Sequence, residues 1–237
     1  MGRIAVIFDA EDEKVIRDIV SAFLINDGYE VISFENGDLL LEEFKIRPCD
    51  LVLLDIMMPG TDGIGVLTAL RAVSKVPVIM LTAKDTDSDY YSGLSLGSDD
   101  YIAKPFKPMI LSAKIKALLR RIEYEKRVLP EQDEQDLECG NLCYFGKKHV
   151  FQVGKEILSL TPTEMRFLEY MMRRFEEAVS KDEILDEIWN MNFDVETRVA
   201  DETNRRLRKK LTAAGADVYV QTVWGYGFKL TKKDMNA

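Results

Sequence analysis

Within the first 122 residues, short uninterrupted apolar runs alternate with amphipathic stretches. Ile4 to Phe8 precedes Val15 to Leu24, Val31 to Phe34 precedes Leu39 to Phe44, and Leu51 to Leu54 precedes Val66 to Val73. Val76 to Leu81 then precedes Ser88 to Leu96, and Tyr101 to Ala103 precedes Met109 to Ile122. A strand that is apolar at every position is buried on both faces, so the repeat predicts an α/β domain with a doubly wound parallel five-stranded sheet over residues 1–122. The charged, Pro130-containing stretch 123–136 reads as a linker. Residues 137–237 follow a different pattern. Leu137 to Tyr144, His149 to Val153 and Glu156 to Leu160 read as short antiparallel strands, and Thr161-Pro162-Thr163-Glu164 opens a helix with a capping signature. Helices over Lys181 to Trp189 and Val195 to Ala213 and a hairpin of Val218 to Val223 with Tyr226 to Leu230 complete an α+β second domain.

Composition removes several function classes. There is one histidine, His149, and the three cysteines (Cys49, Cys139, Cys143) form no CxxC pair, which excludes a zinc finger, a disulfide scaffold and histidine-based catalysis. No apolar run approaches the length of a membrane helix and no signal peptide opens the chain, so a cytoplasmic protein without a membrane partner is expected. The net charge of -9 argues at first against nucleic acid. By segment, however, the excess acid lies before residue 137, and Arg198 to Lys210 carries six basic residues against two acidic ones.

Doubly wound sheets bind ligands beyond the carboxyl ends of their strands, and in the flavodoxin-like order that point lies between strands one and three. Strand one runs into Glu11-Asp12-Glu13 and strand three ends at Asp55. Crowded carboxylates need a cation, and an all-oxygen set with room for water suits Mg²⁺. Thr82 ends strand four and Lys104 follows strand five. A carboxylate nucleophile, a hard metal, a hydroxyl and an ammonium are what phosphoryl transfer to an aspartate requires. Asp9 stands where a buried apolar residue is expected: either it joins the pocket or strand one stops at Phe8 and the loop is remodelled.

These residues carry a resemblance. Glu11-Asp12-Glu13, Leu54-Asp55-Ile56-Met57-Met58-Pro59-Gly60, Leu81-Thr82-Ala83 and Gly97 to Phe106 resemble the receiver domain of bacterial two-component response regulators. The resemblance implies Asp55 as phosphoacceptor, Glu11 and Asp12 as the metal-binding pair with the Met57 carbonyl as a further ligand, Thr82 and Lys104 as phosphoryl contacts, and Tyr101 as an aromatic switch. It also implies a sensor histidine kinase as phosphodonor. A homodimer is implied across the face of the Ser88 to Leu96 helix, strand five and the last helix, with Asp99 and Asp100 opposite Lys114, Lys116 and Arg120.

On Val195 to Ala213 the residues Val199, Thr203, Leu207 and Leu211 recur every fourth position as one inward stripe, leaving Arg and Lys elsewhere to reach a DNA groove. Leu160 to Leu168, Ser180 to Leu185, Arg206 to Leu211 and Thr222 to Phe228 together resemble the winged-helix effector domain of the OmpR/PhoB response regulators. That resemblance makes this helix the recognition helix, with Arg198, Thr203, Arg205, Arg206, Arg208 and Lys209 as candidate contacts to promoter DNA. The hairpin bearing Trp224 and Tyr226 becomes the wing, and Trp189 to Asp194 the loop that touches RNA polymerase. The expected function is a phosphorylation-controlled transcription factor. Two alternatives remain: a phosphoaspartate phosphatase, which would lack the usual Asp-x-Asp because Met57 stands second, and a phosphorylation-independent DNA-binding regulator with a degenerate metal pocket.

Overall fold

The computed structural model describes residues 4–83, 97–127, 135–189 and 198–233, and the side chains of 121–127 and 198 lie outside that description. The chain divides into two units, Met1–Ile122 and Glu123–Ala237.

The first unit contains β1 (Val6–Ala10), α1 (Lys14–Asn26), β2 (Glu30–Phe34), α2 (Gly37–Ile46), β3 (Leu51–Asp55), α3 (Gly63–Val73), β4 (Val78–Ala83), β5 (Asp100–Lys104) and α4 (Pro108–Arg127). The strands form one parallel sheet in the order β2-β1-β3-β4-β5. Because successive side chains leave a strand on opposite faces, the continuous apolar runs feed two cores. Ile7, Leu51, Leu53, Ile79, Leu81 and Ile102 pack with Val20 and Leu24 of α1 and with Leu111, Ile115 and Leu118 of α4. Phe8 turns the other way, edge-on to Phe34 at 5.2 Å and to Phe44 at 6.4 Å. The Ser88 to Leu96 helix expected from the sequence lies outside the described residues. The final helix continues to Arg127, past Ile122 and into the stretch read as linker.

One buried tie secures the edge of this sheet. Arg71 of α3 donates to the carbonyls of Gly97 and Val76 at 2.8 and 2.6 Å and to Asp99 Oδ2 at 3.0 Å, and Asp99 also accepts from the Val78 amide. Asp99 is therefore buried beneath β4 and β5, so its expected place on a dimer face is corrected. Arg71 was not singled out from the sequence, since nothing in its local pattern marks its long-range partners.

The second unit opens with the antiparallel sheet β6 (Leu137–Cys139), β7 (Leu142–Phe145), β8 (Val150–Val153) and β9 (Glu156–Ile157). The single strand expected over 137–144 is a hairpin, because Gly140 takes a φ of 61° and reverses the chain. Then come α5 (Pro162–Arg173), β10 (Ala178–Ser180), α6 (Lys181–Trp189), α7 (Arg198–Ala213), β11 (Val218–Val223) and β12 (Gly227–Lys232). The last three strands form a sheet in the order β10-β12-β11, and β10, three residues long, was missed in the sequence. Val199, Thr203, Leu207 and Leu211 are all buried, as their spacing requires. Among the described residues no helix is long and apolar enough to cross a membrane.

Removing one member of a buried ion pair leaves an uncompensated charge. Arg71→Met should destabilise the first unit by about 3 kcal/mol, read as a lowered urea midpoint for the receiver transition; an unchanged midpoint would show that Asp99 does not need Arg71.

Candidate functional site

Parallel pairing brings the ends of β1, β3 and β5 to one rim of the first unit. Asp55 closes β3, and after Ala10 closes β1 the chain holds its course for one more bond, the Glu11 amide donating to the Phe34 carbonyl at 3.1 Å. Arg17 of α1 reaches back with Nη1 donating to the carbonyls of Glu11 and Asp12 at 2.5 and 3.1 Å, which fixes the loop carrying both acids. Glu11, Asp12 and Asp55 each present a carboxylate oxygen within 4.8 Å of the others. Glu11 and Asp55 are buried and Asp12 is exposed. Lys104, the last residue of β5, donates from Nζ to Asp55 Oδ2 at 2.9 Å and makes a charge contact with Glu11 Oε2 at 2.6 Å.

Burial pushes the Asp55 carboxyl above the usual carboxylate range, and the Lys104 ammonium opposes that rise. Glu11 is raised for the same reason. Burial alone would lower Lys104, but its contacts with Glu11 and Asp55 outweigh it and hold the ammonium charged. Three hard carboxylate donors converging with a net negative charge fit Mg²⁺. The Met57 amide lies 3.4 Å from Asp55 Oδ1, and its side chain points to solvent. Gly63 is required here because a Cβ on it would collide with the Asp55 carbonyl, and Asp62 caps α3 by accepting from the Gly65 amide at 2.7 Å. Thr82 and Tyr101 are both buried; Tyr101 pairs with Met80 and Ala103 with Thr82, so the two residues are diagonal neighbours on one sheet face.

β1 does not stop at Phe8. Asp9 pairs in register with Ser33 and Leu53, is fully buried, and neither carboxylate oxygen has a hydrogen-bond partner. It lies outside the converging trio, although Glu11, Arg17, Lys104 and Asp55 are close enough to act on its charge. Burial, reinforced by Glu11, pushes its carboxyl up to about 8.

In the second unit, the polar face of α7 divides into two populations. Arg205 and Lys209 are exposed and Arg208 is half-buried. Arg205 donates to Glu202 at 2.7 Å, and Arg208 bonds the Val220 carbonyl and, at 2.7 Å, Thr222 Oγ1 of β11. Arg206 is different: it is buried, donating from Nε to Glu164 Oε1 at 3.1 Å and from Nη2 to Thr203 at 3.3 Å. Glu164, 0% exposed, also accepts from the Thr161 amide at 2.9 Å and from Lys210 at 2.5 Å. Arg206 and Thr203, expected as DNA contacts, are thus turned into the core, because the buried Glu164 needs the guanidinium. Glu164 was legible as a capping-box residue, but its ion pairs were not. Arg198 opens α7 and its side chain lies outside the described residues. Trp224 and Tyr226 are exposed at the hairpin tip, and Trp189 is core; Asn190 to Asp194 lie outside the described residues.

Two outcomes test this geometry. The unfolded chain loses the Asp9 proton near pH 3.8 and the folded chain holds it to about 8, so stability falls as pH rises through that window. Asp9→Val should therefore raise stability by about 2 kcal/mol at neutral pH and much less near pH 4, measured by urea denaturation across pH; equal gains at both ends would refute the assignment. For α7, Arg206→Ala should lower the second unit's stability by about 3 kcal/mol, while Arg205→Ala stays within about 0.5 kcal/mol. Equal melting curves for the two variants would contradict the buried placement of Arg206.

Comparison with known proteins agrees with both halves of this geometry. Residues 7–116 match the response regulator receiver domain and residues 154–230 match the C-terminal domain of transcriptional regulatory proteins. The chain is 37% identical over 226 residues to the phosphate regulon transcriptional regulatory protein PhoB of Escherichia coli, covering 94% of this chain and 96% of PhoB. It is 37% identical over 221 residues to the sensory transduction protein RegX3 of Mycobacterium tuberculosis, covering 93% of this chain and 96% of RegX3. The structure of the response regulator DrrB from Thermotoga maritima, an OmpR/PhoB homologue, aligns over 97% of this chain and all of DrrB with a TM-score of 0.51 and 26% identity. With a receiver whose acidic rim is assembled, followed in the chain by a winged-helix domain, the chain belongs to the OmpR/PhoB family of two-component response regulators.

Proposed function

We propose that this response regulator is switched by phosphorylation of Asp55 and that the switch controls dimerisation and promoter binding. The observation that carries the reading is the placement of Asp55: it ends β3 beside two further carboxylates and 2.9 Å from the Lys104 ammonium. A carboxylate oxygen of Asp55 attacks the phosphorus of a phosphohistidine on a sensor kinase; the new O–P bond forms as the P–N bond of the donor breaks. Glu11, Asp12, Asp55 and the Met57 carbonyl would hold Mg²⁺, whose charge would offset the crowding of anionic oxygens. Lys104, which already spans Glu11 and Asp55, neutralises the phosphoryl oxygens, and the Thr82 hydroxyl donates to them. Drawing Thr82 toward the pocket changes the packing beside its diagonal neighbour, the already buried Tyr101, and so alters the face that β5 carries.

The dimer face then consists of Lys114, Lys116 and Arg120, without Asp99 and without Asp100, which is also buried beside Lys114. Lys114 donates to both oxygens of Asp100 at 2.9 and 2.8 Å within one chain, so dimerisation would exchange or extend an existing pair. On DNA, α7 presents Arg205, Arg208 and Lys209 to the groove, two protomers occupy half-sites about 10 to 11 base pairs apart, and the Trp189 to Asp194 loop meets RNA polymerase. The protein acts in the cytoplasm. The convergence of Glu11, Asp12 and Asp55 supports this reading over a phosphorylation-independent regulator, because Asp9 leaves the trio undisturbed.

Intact-mass analysis after incubation with a small acyl phosphate and Mg²⁺ should show one added phosphoryl group on the wild type and none on Asp55→Asn. An adduct of equal yield on the variant would move the phosphoacceptor elsewhere.

A further inference from the structure

The loop that carries Glu11 and Asp12 is tied differently from the loops that open α2 and α3. Those two helices begin on side-chain caps, Asn36 accepting from the Leu39 amide at 3.0 Å and Asp62 from the Gly65 amide at 2.7 Å. α1 has none: Glu13 stands at its cap position, and the Glu13 side chain accepts nothing from the first turn. The tie comes instead from Arg17, half-buried at the start of the second turn, which sends one nitrogen, Nη1, to two successive carbonyls, Glu11 at 2.5 Å and Asp12 at 3.1 Å. In an extended strand successive carbonyls point to opposite edges, so a single donor can hold both only where the chain has bent. The same bend aims the Glu13 amide back at Glu11 Oε1, 3.2 Å away.

The helix itself gains nothing from this side chain, because a cation near a helix N-terminus opposes the helix dipole. Both side-chain bonds of Arg17 go to carbonyls, and among the described residues none goes to a carboxylate. Even Asp9, close enough for the two charges to act on each other, shares no hydrogen bond with it. Asp12 depends on this tie more than Glu11 does. Glu11 is also held by Lys104 and by the Glu13 amide, whereas among the described residues no hydrogen bond or ion pair holds the exposed Asp12 carboxylate, which nevertheless converges with Glu11 and Asp55 within 4.8 Å.

We propose, on the reading that the receiver rim takes a divalent cation with Asp55 as phosphoacceptor, that Arg17 is a positioning residue for that cation: it holds the Glu11–Asp12 backbone in the bend that brings both carboxylates to Asp55, and it touches neither the metal nor the phosphoryl group. A point charge and a brace predict opposite signs. A guanidinium beside the rim repels a divalent cation, so as a charge its removal would tighten metal binding. As a brace, its removal frees the loop, and the loop's ordering entropy is then lost at the moment of binding. Groups that orient metal ligands in this way are worth about ten- to a hundredfold in metal affinity.

The test titrates Mn²⁺ into the full, unphosphorylated chain and reads the free ion by electron paramagnetic resonance. Arg17→Gln should weaken Mn²⁺ binding about tenfold. Arg17→Lys, which keeps a charged donor but loses the reach of the guanidinium, should weaken it about threefold. With a small acyl phosphate as donor, the Mg²⁺ concentration that gives half the maximal rate of Asp55 phosphorylation should rise by the same factors, while the rate at saturating Mg²⁺ falls by less than about twofold. Tighter or unchanged Mn²⁺ binding by Arg17→Gln would overturn the proposal. So would a saturated rate that falls as far as the affinity does, since that would put Arg17 in the reaction itself. If Arg17→Gln has no urea transition of its own, Arg17→Lys decides alone, and wild-type affinity in that variant overturns the proposal. A wild type that binds Mn²⁺ but takes no phosphoryl group would defeat the phosphorylation reading and leave the Mn²⁺ comparison standing; one that binds no Mn²⁺ would defeat both.

Discussion

Lys104 is the only cation whose ammonium bridges the carboxylates of the receiver rim among the described residues, and the arrangement there depends on it. Two buried acids, Glu11 and Asp55, would repel each other at the close range that β1 and β3 impose; the ammonium at 2.6 and 2.9 Å lets both strands end together. Its own charge is secured by the same two partners. The carboxylates of Glu11, Asp12 and Asp55 consequently stay within 4.8 Å of one another, with the ammonium between two of them. Arg17 reinforces this from the helix side by holding carbonyls instead of carboxylates, which leaves the acids' oxygens available.

The effector unit solves a related problem differently. Glu164 is buried entirely, yet its oxygens meet the Thr161 amide, Arg206 and Lys210, so no charge is stranded. That cluster joins the start of α5 to the middle of α7 and sets which way α7 faces. Asp9 has no such compensation, and its raised carboxyl is the result.

What the sequence disclosed, and what it did not, follows from range. Periodicity located the sheet, the inward stripe of α7 and the capping box, because each is written within a few turns or a single strand. The convergence of Glu11, Asp55 and Lys104 was legible because parallel strands must end on a common rim. Asp9 was legible as an anomaly, but whether β1 broke before it was not, since the answer lies in its pairing with Ser33 and Leu53. Arg206 and Asp99 were assigned outward for their chemistry; each is drawn inward by a partner more than twenty residues distant, Glu164 and Arg71 respectively, and local spacing carries no record of that. The hairpin at Gly140 and the short β10 were missed because strands of three residues have too little period to detect.

The division of labour along α7 bears on how such a regulator can diverge. Arg206 and Lys210 belong to the scaffold, and Arg205 and Lys209, one position earlier in each case, face outward. Because the helix is oriented by Arg206 and Lys210 through Glu164, the outward positions are free to drift after gene duplication without loosening the fold. A duplicated copy can thus change one or two outward side chains while the facing of α7 within its own unit, tied to Glu164, is inherited intact.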